Sequence, residues 1–221
     1  MIVKHLVTGP LQVNTYIVGD EVTRDAVVID PGGQAPEIMR IIKEEGLTLR
    51  RIINTHAHFD HVTGVEALKE ATGVPFHLHP ADLPILESFG RQLAYFGLPG
   101  GDPPTVDEYL EEGQEIAIGN TVLRVLFTPG HSPGHVTFLY EGSENDAGEN
   151  PAVPGGRRVA FSGDVLFQGS IGRFDLPGGD YERLMRSIRT VLLPLGDTTV
   201  IYPGHGPSTT IAREKIWNPF L

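Results

Sequence analysis

An α+β fold is what this sequence of 221 residues predicts, on three observations. Short runs rich in Val and Ile recur between Gly, Pro and Asp clusters, as strands bounded by turns do. Between them lie stretches whose apolar residues stand three and four apart, the period of a helix with one buried face. No internal repeat or linker divides the chain, and its length is enough to bury a substantial core. Residues 1–221 therefore read as one domain, with strands dominating and helices interspersed.

Taken in order, residues 2–7, 15–19 and 26–30 read as strands, broken at Gly19-Asp20 and stopped at Asp30-Pro31-Gly32-Gly33. Asp30 fits a turn residue, with a supporting role for a ligand as the lesser reading. A helix is predicted over 35–45, where Ile38, Ile41 and Ile42 make one stripe and Gly46 closes it. Arg51-Ile52-Ile53 reads as a buried strand. Over 61–72, Val62, Val65, Leu68 and Ala71 recur at three-residue steps, again helical. A strand near 74–78 ends at Pro80. Residues 82–97 are predicted helical, with Pro84 early enough to be tolerated. Their stripe of Leu86, Phe89, Leu93 and Phe96 reads as core, and a lid over a cleft is the other reading. Strands follow at 115–118, 121–127 and 136–140. Residues 142–157 hold Gly, Pro, Asn and acidic residues with almost nothing apolar, so a surface hairpin loop free to move is expected. A strand at 158–162, a helix at 180–192 and a strand at 198–202 complete the chain.

Composition removes several function classes. Hydrophobic content of 40% and charge of 20% are those of an ordinary soluble globular protein. A formal net charge of −11 opposes a nucleic-acid partner, because phosphate contacts need a basic surface. The chain has no cysteine, which excludes disulfides, thiolate zinc sites and Cys nucleophiles. The start Met1-Ile2-Val3-Lys4-His5 lacks a signal peptide's apolar stretch, and no segment reaches transmembrane length. A cytoplasmic protein without a membrane partner is expected.

The chemistry is concentrated in Thr55-His56-Ala57-His58-Phe59-Asp60-His61. Along extended chain, residues two apart project from the same side, so His56 and His58 can grip one ion together. Asp60 and His61, offset from that pair, can face a second. Taken alone, Asp60 could simply cap the helix predicted from 61. Three further candidates each follow a strand and stand beside glycine: His131 in Thr128-Pro129-Gly130-His131, Asp164 in Ser162-Gly163-Asp164, and His205 in Tyr202-Pro203-Gly204-His205. Glycine lets the backbone turn sharply there. Five His and two Asp result, a nitrogen and oxygen set that suits two divalent ions, Zn first, with Fe or Mn as alternatives. The workable partition gives His56, His58 and His131 to one ion, gives Asp60, His61 and His205 to the other, and has Asp164 bridge them. His77 and His79, also two apart, lack a partnering acid and read as structural. His135 reads either as a support for the loop around His131 or as an ordinary strand-edge histidine. His5 carries no signal.

These residues resemble the metallo-β-lactamase superfamily, whose hallmark is a Thr-His-x-His-x-Asp-His loop, and within it the short glyoxalase II-like (hydroxyacylglutathione hydrolase-like) proteins. The resemblance also covers Thr128 to Gly134, Ser162 to Asp164, Ile171 to Gly179, Tyr202 to Gly206 and Asn218 to Leu221. It implies a four-layer αβ/βα sandwich with the metals at one edge of two packed mixed sheets. It also implies hydrolysis of a small-molecule thioester, S-D-lactoylglutathione or a related hydroxyacyl thioester, by attack of a metal-bridging hydroxide, with Asp60 holding and orienting the proton. A monomer or homodimer is expected. Two departures bear on substrate. Only 16 residues follow His205, so the C-terminal helical extension that supplies glutathione contacts in glyoxalase II is not matched. In Gly172-Arg173-Phe174-Asp175, glyoxalase II carries Lys-Phe-Tyr, with the Lys and Tyr on glutathione. Arg173 and Phe174 are thus candidate substrate contacts, while Arg173 and Asp175 paired as a rigid support is the more conservative reading.

Two rivals remain open at this point. Persulfide dioxygenases share the fold and the Gly-Arg-x-Asp stretch and use one iron on two His and one Asp, here His56, His131 and Asp164. Their Cys-containing first loop and different final-His sequence are unlike Ala57 and His205-Gly206-Pro207. A metal-binding protein without catalysis is the other rival.

Overall fold

The structure, a computed structural model, describes residues 1–142 and 158–221. The first half begins with β1 (Ile2–Thr8), β2 (Val13–Gly19), β3 (Asp25–Ile29), α1 (Ala35–Glu44) and β4 (Thr48–Ile53). It continues through α2 (Phe59–Val62), α3 (Val65–Thr72), β5 (Phe76–Leu78), α4 (Leu83–Glu87), α5 (Phe89–Tyr95) and β6 (Glu108–Tyr109). Its six strands form one sheet in sequential order, antiparallel from β1 to β3 and parallel from β3 to β6. The second half contributes β7 (Glu115–Ile118), β8 (Thr121–Phe127), β9 (Val136–Tyr140), β10 (Val159–Gly163), the hairpin β11 (Leu166–Phe167) and β12 (Ser170–Ile171), α6 (Tyr181–Ser187), β13 (Val200–Pro203), β14 (Thr209–Thr210) and α7 (Ile211–Trp217). Here the sheet order is β14-β13-β10-β9-β8-β7.

Alternation along the strands sorts side chains into layers, since neighbours point to opposite faces. Tyr16, Val18, Val27, Ile29 and Ile53 meet Ile116, Leu123, Val125, Phe138 and Phe161 between the two sheets. Ile17, Val28 and Ile52 face the other way, onto Ile38 and Ile42 of α1, Leu68 of α3 and Phe89 and Leu93 of α5. On the far side, Leu139, Ala160 and Ile201 cover Leu184 and Met185 of α6 and Ile211 of α7. Helix, sheet, sheet, helix is the expected four-layer order, and both sheets are mixed.

Several boundaries differ from the sequence reading. The helix predicted over 61–72 starts at Phe59 and is cut at Thr63-Gly64, because Gly64 lies against the Asp30 turn and donates to Pro31 O at 2.7 Å. A Cβ at Gly64 would stand 2.6 Å from that carbonyl. The helix predicted over 82–97 is instead a turn at Pro80–Asp82 followed by α4 and α5. Its stripe is core at Leu86, Phe89 and Leu93, whereas Phe96 is half-exposed and packs on Phe59 with ring centroids 4.9 Å apart. The helix predicted over 180–192 changes to a wider turn at Ile188–Leu192. The pairs β6, β11–β12 and β14, and helix α7, are additions. Residues 143–157, where the hairpin loop is expected, lie outside the described residues. Among the described residues no helix is long and apolar enough to cross a membrane.

Candidate metal centre

All seven predicted ligand residues come together at one edge of the two packed sheets. His56, His58 and Asp60 follow β4, His131 lies between β8 and β9, Asp164 follows β10 and His205 follows β13. Ligand atoms of His56, His58 and His131 fall within 4.8 Å of one another, and so do those of Asp60, His61 and His205. Asp164 spans the two groups. Its Oδ2 is 3.6 Å from His131 Nε2 and 3.5 Å from His205 Nε2, while Oδ1 is 3.5 Å from His61 Nε2. Gly204 makes this possible: a Cβ there would stand 2.2 Å from Asp164 Oδ1. Asp60 lies inside the first turn of α2 and makes no cap; its Oδ2 is 3.3 Å from His205 Nε2.

Hydrogen bonds on the outer nitrogens fix the imidazoles. Asp30, in a left-handed turn at φ 49°, accepts from Thr55 N and Thr55 Oγ1 at 2.7 Å each and from His61 Nδ1 at 3.0 Å. With its proton committed to Asp30, Thr55 Oγ1 accepts from His56 Nδ1 at 3.0 Å. His131 Nδ1 donates to Arg173 O at 2.7 Å. Each bond places the remaining lone pair on Nε2, facing the cluster. Asp30 therefore does more than turn the chain: it orients two segments of the ligand loop. It also stands within ligand distance of His56 and His61, but its oxygens are already engaged by these donors.

His135 lies against the cluster. It stacks on His56 at 5.0 Å, its Nε2 accepts from Asp164 N at 3.0 Å, and its Nδ1 meets Thr128 Oγ1 at 3.1 Å. His77 and His79 stay out of the cluster, His77 beside Glu108 and His79 stacked on Phe127 at 4.7 Å. Arg173 and Asp175 form the bidentate pair of the conservative reading, at 2.9 and 3.0 Å. Phe174 is half-exposed against Tyr181, with centroids 4.9 Å apart.

Two functional partners escaped the sequence reading. Asp82 is fully buried and accepts from Ala57 N, Ser132 Oγ and Gly134 N, tying the loop of His56 and His58 to the loop of His131. Asn14 binds the loop of His205. Neither has a local signature, because both act across long sequence separations.

The electrostatics divide the site. Burial drives His56 well below its ordinary pKa and lowers His58 to about 3 and His131 in the same direction. That direction favours the neutral imidazole in all three. Burial also opposes charge on His61, but Asp164, Asp60 and Asp30 outweigh it and hold the ring well above its ordinary pKa. Asp164 resists its own burial through the charge on His61 and stays well below the carboxylate range. A concentrated negative charge thus sits beside three neutral imidazoles. Of the six buried side-chain atoms without a hydrogen-bond partner among the described residues, three are His56 Nε2, His61 Nε2 and Asp164 Oδ1. Such orphans are costly unless a cation accepts them, so the donor set fits two divalent ions.

Comparison with known proteins decides the family. The profile of the metallo-beta-lactamase superfamily matches residues 8–144 and 153–205. The chain belongs to the metallo-beta-lactamase superfamily. Within that superfamily it is 41% identical over 212 residues to the hydroxyacylglutathione hydrolase GloC of Haemophilus influenzae, covering 95% of this chain and 93% of that one. Among solved structures of the fold it is similar to BLEG-1 B3 metallo-beta-lactamase, with a TM-score of 0.86, 38% identity and coverage of 100% and 99%. It is also similar to TTHA1623 in a di-iron-bound form, with a TM-score of 0.83, 41% identity and coverage of 99% and 100%. Membership of this superfamily and the His/Asp cluster together support a metalloenzyme.

Proposed function

We propose that this protein is a dinuclear metallohydrolase that cleaves a small-molecule thioester, S-D-lactoylglutathione or a related hydroxyacyl thioester. The observation that carries the reading is the carboxylate of Asp164, reaching His131 on one side and His61 and His205 on the other. His56, His58 and His131 would hold one ion, Asp60, His61 and His205 the other, with Asp164 shared. Bound there, two cations supply positive charge that lowers the pKa of water from about 15.7 toward ~7 and draws electrons from a carbonyl.

The chain's own groups do the rest. Asp60, whose Oδ2 is 3.3 Å from His205 Nε2, would hold and orient the proton of an attacking water. Oxygen adds to the acyl carbon, the C–S bond breaks, and a carboxylate and a thiol leave. A thiol of pKa near ~8.5 departs as thiolate without a general acid. An amide nitrogen needs a proton in order to leave whereas a thiolate does not, so a thioester suits the site better than a β-lactam. Zn is the expected metal, with Fe or Mn as alternatives; the likeness to a di-iron protein supports iron among them. The Gly172-Arg173-Phe174-Asp175 stretch and a likeness to ETHE1 from Myxococcus xanthus, with a TM-score of 0.78 and 30% identity, favour one second reading, a mononuclear-iron persulfide dioxygenase using His56, His131 and Asp164.

One experiment separates these. Metal content of purified protein is measured beside hydrolysis of S-D-lactoylglutathione, a glutathione-free thioester and a β-lactam, and oxygen uptake with glutathione persulfide. Two metals and thioester turnover are expected. A single iron with stoichiometric oxygen consumption would reverse the choice, and no turnover of any substrate would leave a metal-binding protein.

Arg173 addresses the thiol carrier. Its guanidinium is paired with Asp175 at an exposed position, where such pairs contribute ~0–1 kcal/mol. Arg173→Ala should therefore leave stability nearly unchanged and the KM for glutathione thioesters within about threefold. A tenfold rise in KM would show that Arg173 touches the substrate.

A further inference from the structure

The ligand His205 is held in place from the opposite sheet. Its loop, Pro203 to Gly206, meets β2 at an isolated antiparallel bridge between Val13 and His205. Asn14 then contacts three successive parts of that loop. Its backbone N–H donates to Gly204 O at 2.7 Å. Its side-chain Nδ2 donates to Pro203 O at 2.9 Å and Gly206 O at 2.8 Å. With both amide protons so used, Oδ1 can only accept, and His5 Nε2 donates to it at 2.7 Å. Tyr16 OH adds a bond to Pro203 O at 2.7 Å, and His5 stacks on Tyr16 at 5.3 Å.

The side chain of Asn14 is buried, and both of its polar atoms are hydrogen-bonded. Asn combines a forked pair of donors with an acceptor at this length. Asp has the same shape but offers acceptors only, and would set a carboxylate against two carbonyl oxygens. The need for such a clamp is specific to His205. This ring is the most exposed of the seven ligands, at 28% for its side chain, and its aromatic neighbours His61 and Phe167 lie 5.4 and 6.3 Å away. His56, His58 and His131 depend on a different anchor, Asp82.

We propose that Asn14 is the positioning residue of the second cation site, so that its clamp on the His205 loop makes the chain a two-cation rather than a one-cation protein. The proposal rests on the reading that Asp60, His61 and His205 hold a cation. Partners that orient ligands typically contribute 10–100-fold to metal affinity, and that loss should fall on one binding step alone.

The test is stepwise titration of metal-free protein with Zn²⁺ against a chromogenic chelator, with elemental analysis after gel filtration. Wild type should take up two equivalents. Asn14→Asp should keep the first within threefold of wild type and weaken the second at least tenfold, matching His205→Ala. An undiminished second step in Asn14→Asp would overturn the assignment. Equal weakening of both steps would overturn it too, because Asn14 would then be a general support of the fold. A wild-type protein that takes up one equivalent would instead refute the two-cation reading itself. Should Asn14→Asp fail to fold, Tyr16→Phe and His5→Ala each remove one neutral hydrogen bond around the same clamp. They carry the same expectation at smaller size, about threefold on the second step, and no change there would overturn the proposal.

Discussion

Asp164→Ala should lose both cations together and reduce thioester turnover to background. Its two oxygens lie 3.5 to 3.6 Å from His61, His131 and His205, so the side chain reaches both halves of the cluster. Its Oδ1 is buried without a hydrogen-bond partner, so no competing contact offsets the loss of a shared ligand. The substitution also removes a negative charge that would screen two cations from each other. Partners outside the ligand set alone cost 10–100-fold in affinity, so a bridging ligand should cost more than ~100-fold at each site. Elemental analysis after gel filtration reads the outcome. A variant that retained two equivalents would show that Asp164 does not bridge, and retention of one would assign it to a single ion.

Parts of this site and fold can be read directly from the residues, and the limits have a physical pattern. The loop from Thr55 to His61 is legible because ligand chemistry crowds into one short extended segment. His131, Asp164 and His205 are legible because each combines a strand end with glycine. The layers follow from strand alternation, as Val27 and Ile29 face one core and Val28 the other. What escapes is whatever depends on distant packing. The break at Gly64 is fixed by its hydrogen bond to Pro31 O, far back in the chain. Strand β14 is two residues long and exists by pairing with β13; the buried carboxylate of Glu214 on α7 secures it through Thr209 Oγ1 and Gly169 N. Asn14 meets carbonyls 189 and 192 residues away. Asp30, read first as a turn residue, acquires its partners only when Thr55 and His61 fold onto it. Ligands carry a chemical signature in sequence, whereas the residues that aim them are ordinary polar side chains until the chain is closed.

Asp82→Ala should destabilise the protein by about 3 kcal/mol and weaken the first cation at the same time. The carboxylate is the acceptor for Ala57 N and Ser132 Oγ at 2.8 Å and for Gly134 N at 2.5 Å. Removing it strands three donors, each costing ~1–3 kcal/mol, while the burial of a charge is relieved. That burial is visible in its pKa, which desolvation raises to about 6 against the opposing pull of the three hydrogen bonds. The pH dependence follows from that direction. The folded state binds the Asp82 proton more tightly than the unfolded chain does, so this contribution to stability is complete below the unfolded value near ~3.9 and is lost as pH rises through about 6. Asp82→Asn cannot titrate there. The advantage of metal-free wild type over Asp82→Asn should therefore be larger at pH 4 than at pH 7, by at most ~3 kcal/mol. Urea denaturation at pH 4, 5, 6 and 7 measures it. A difference that stayed flat, or grew toward neutral pH, would show that Asp82 is not a buried acid joining the two ligand loops.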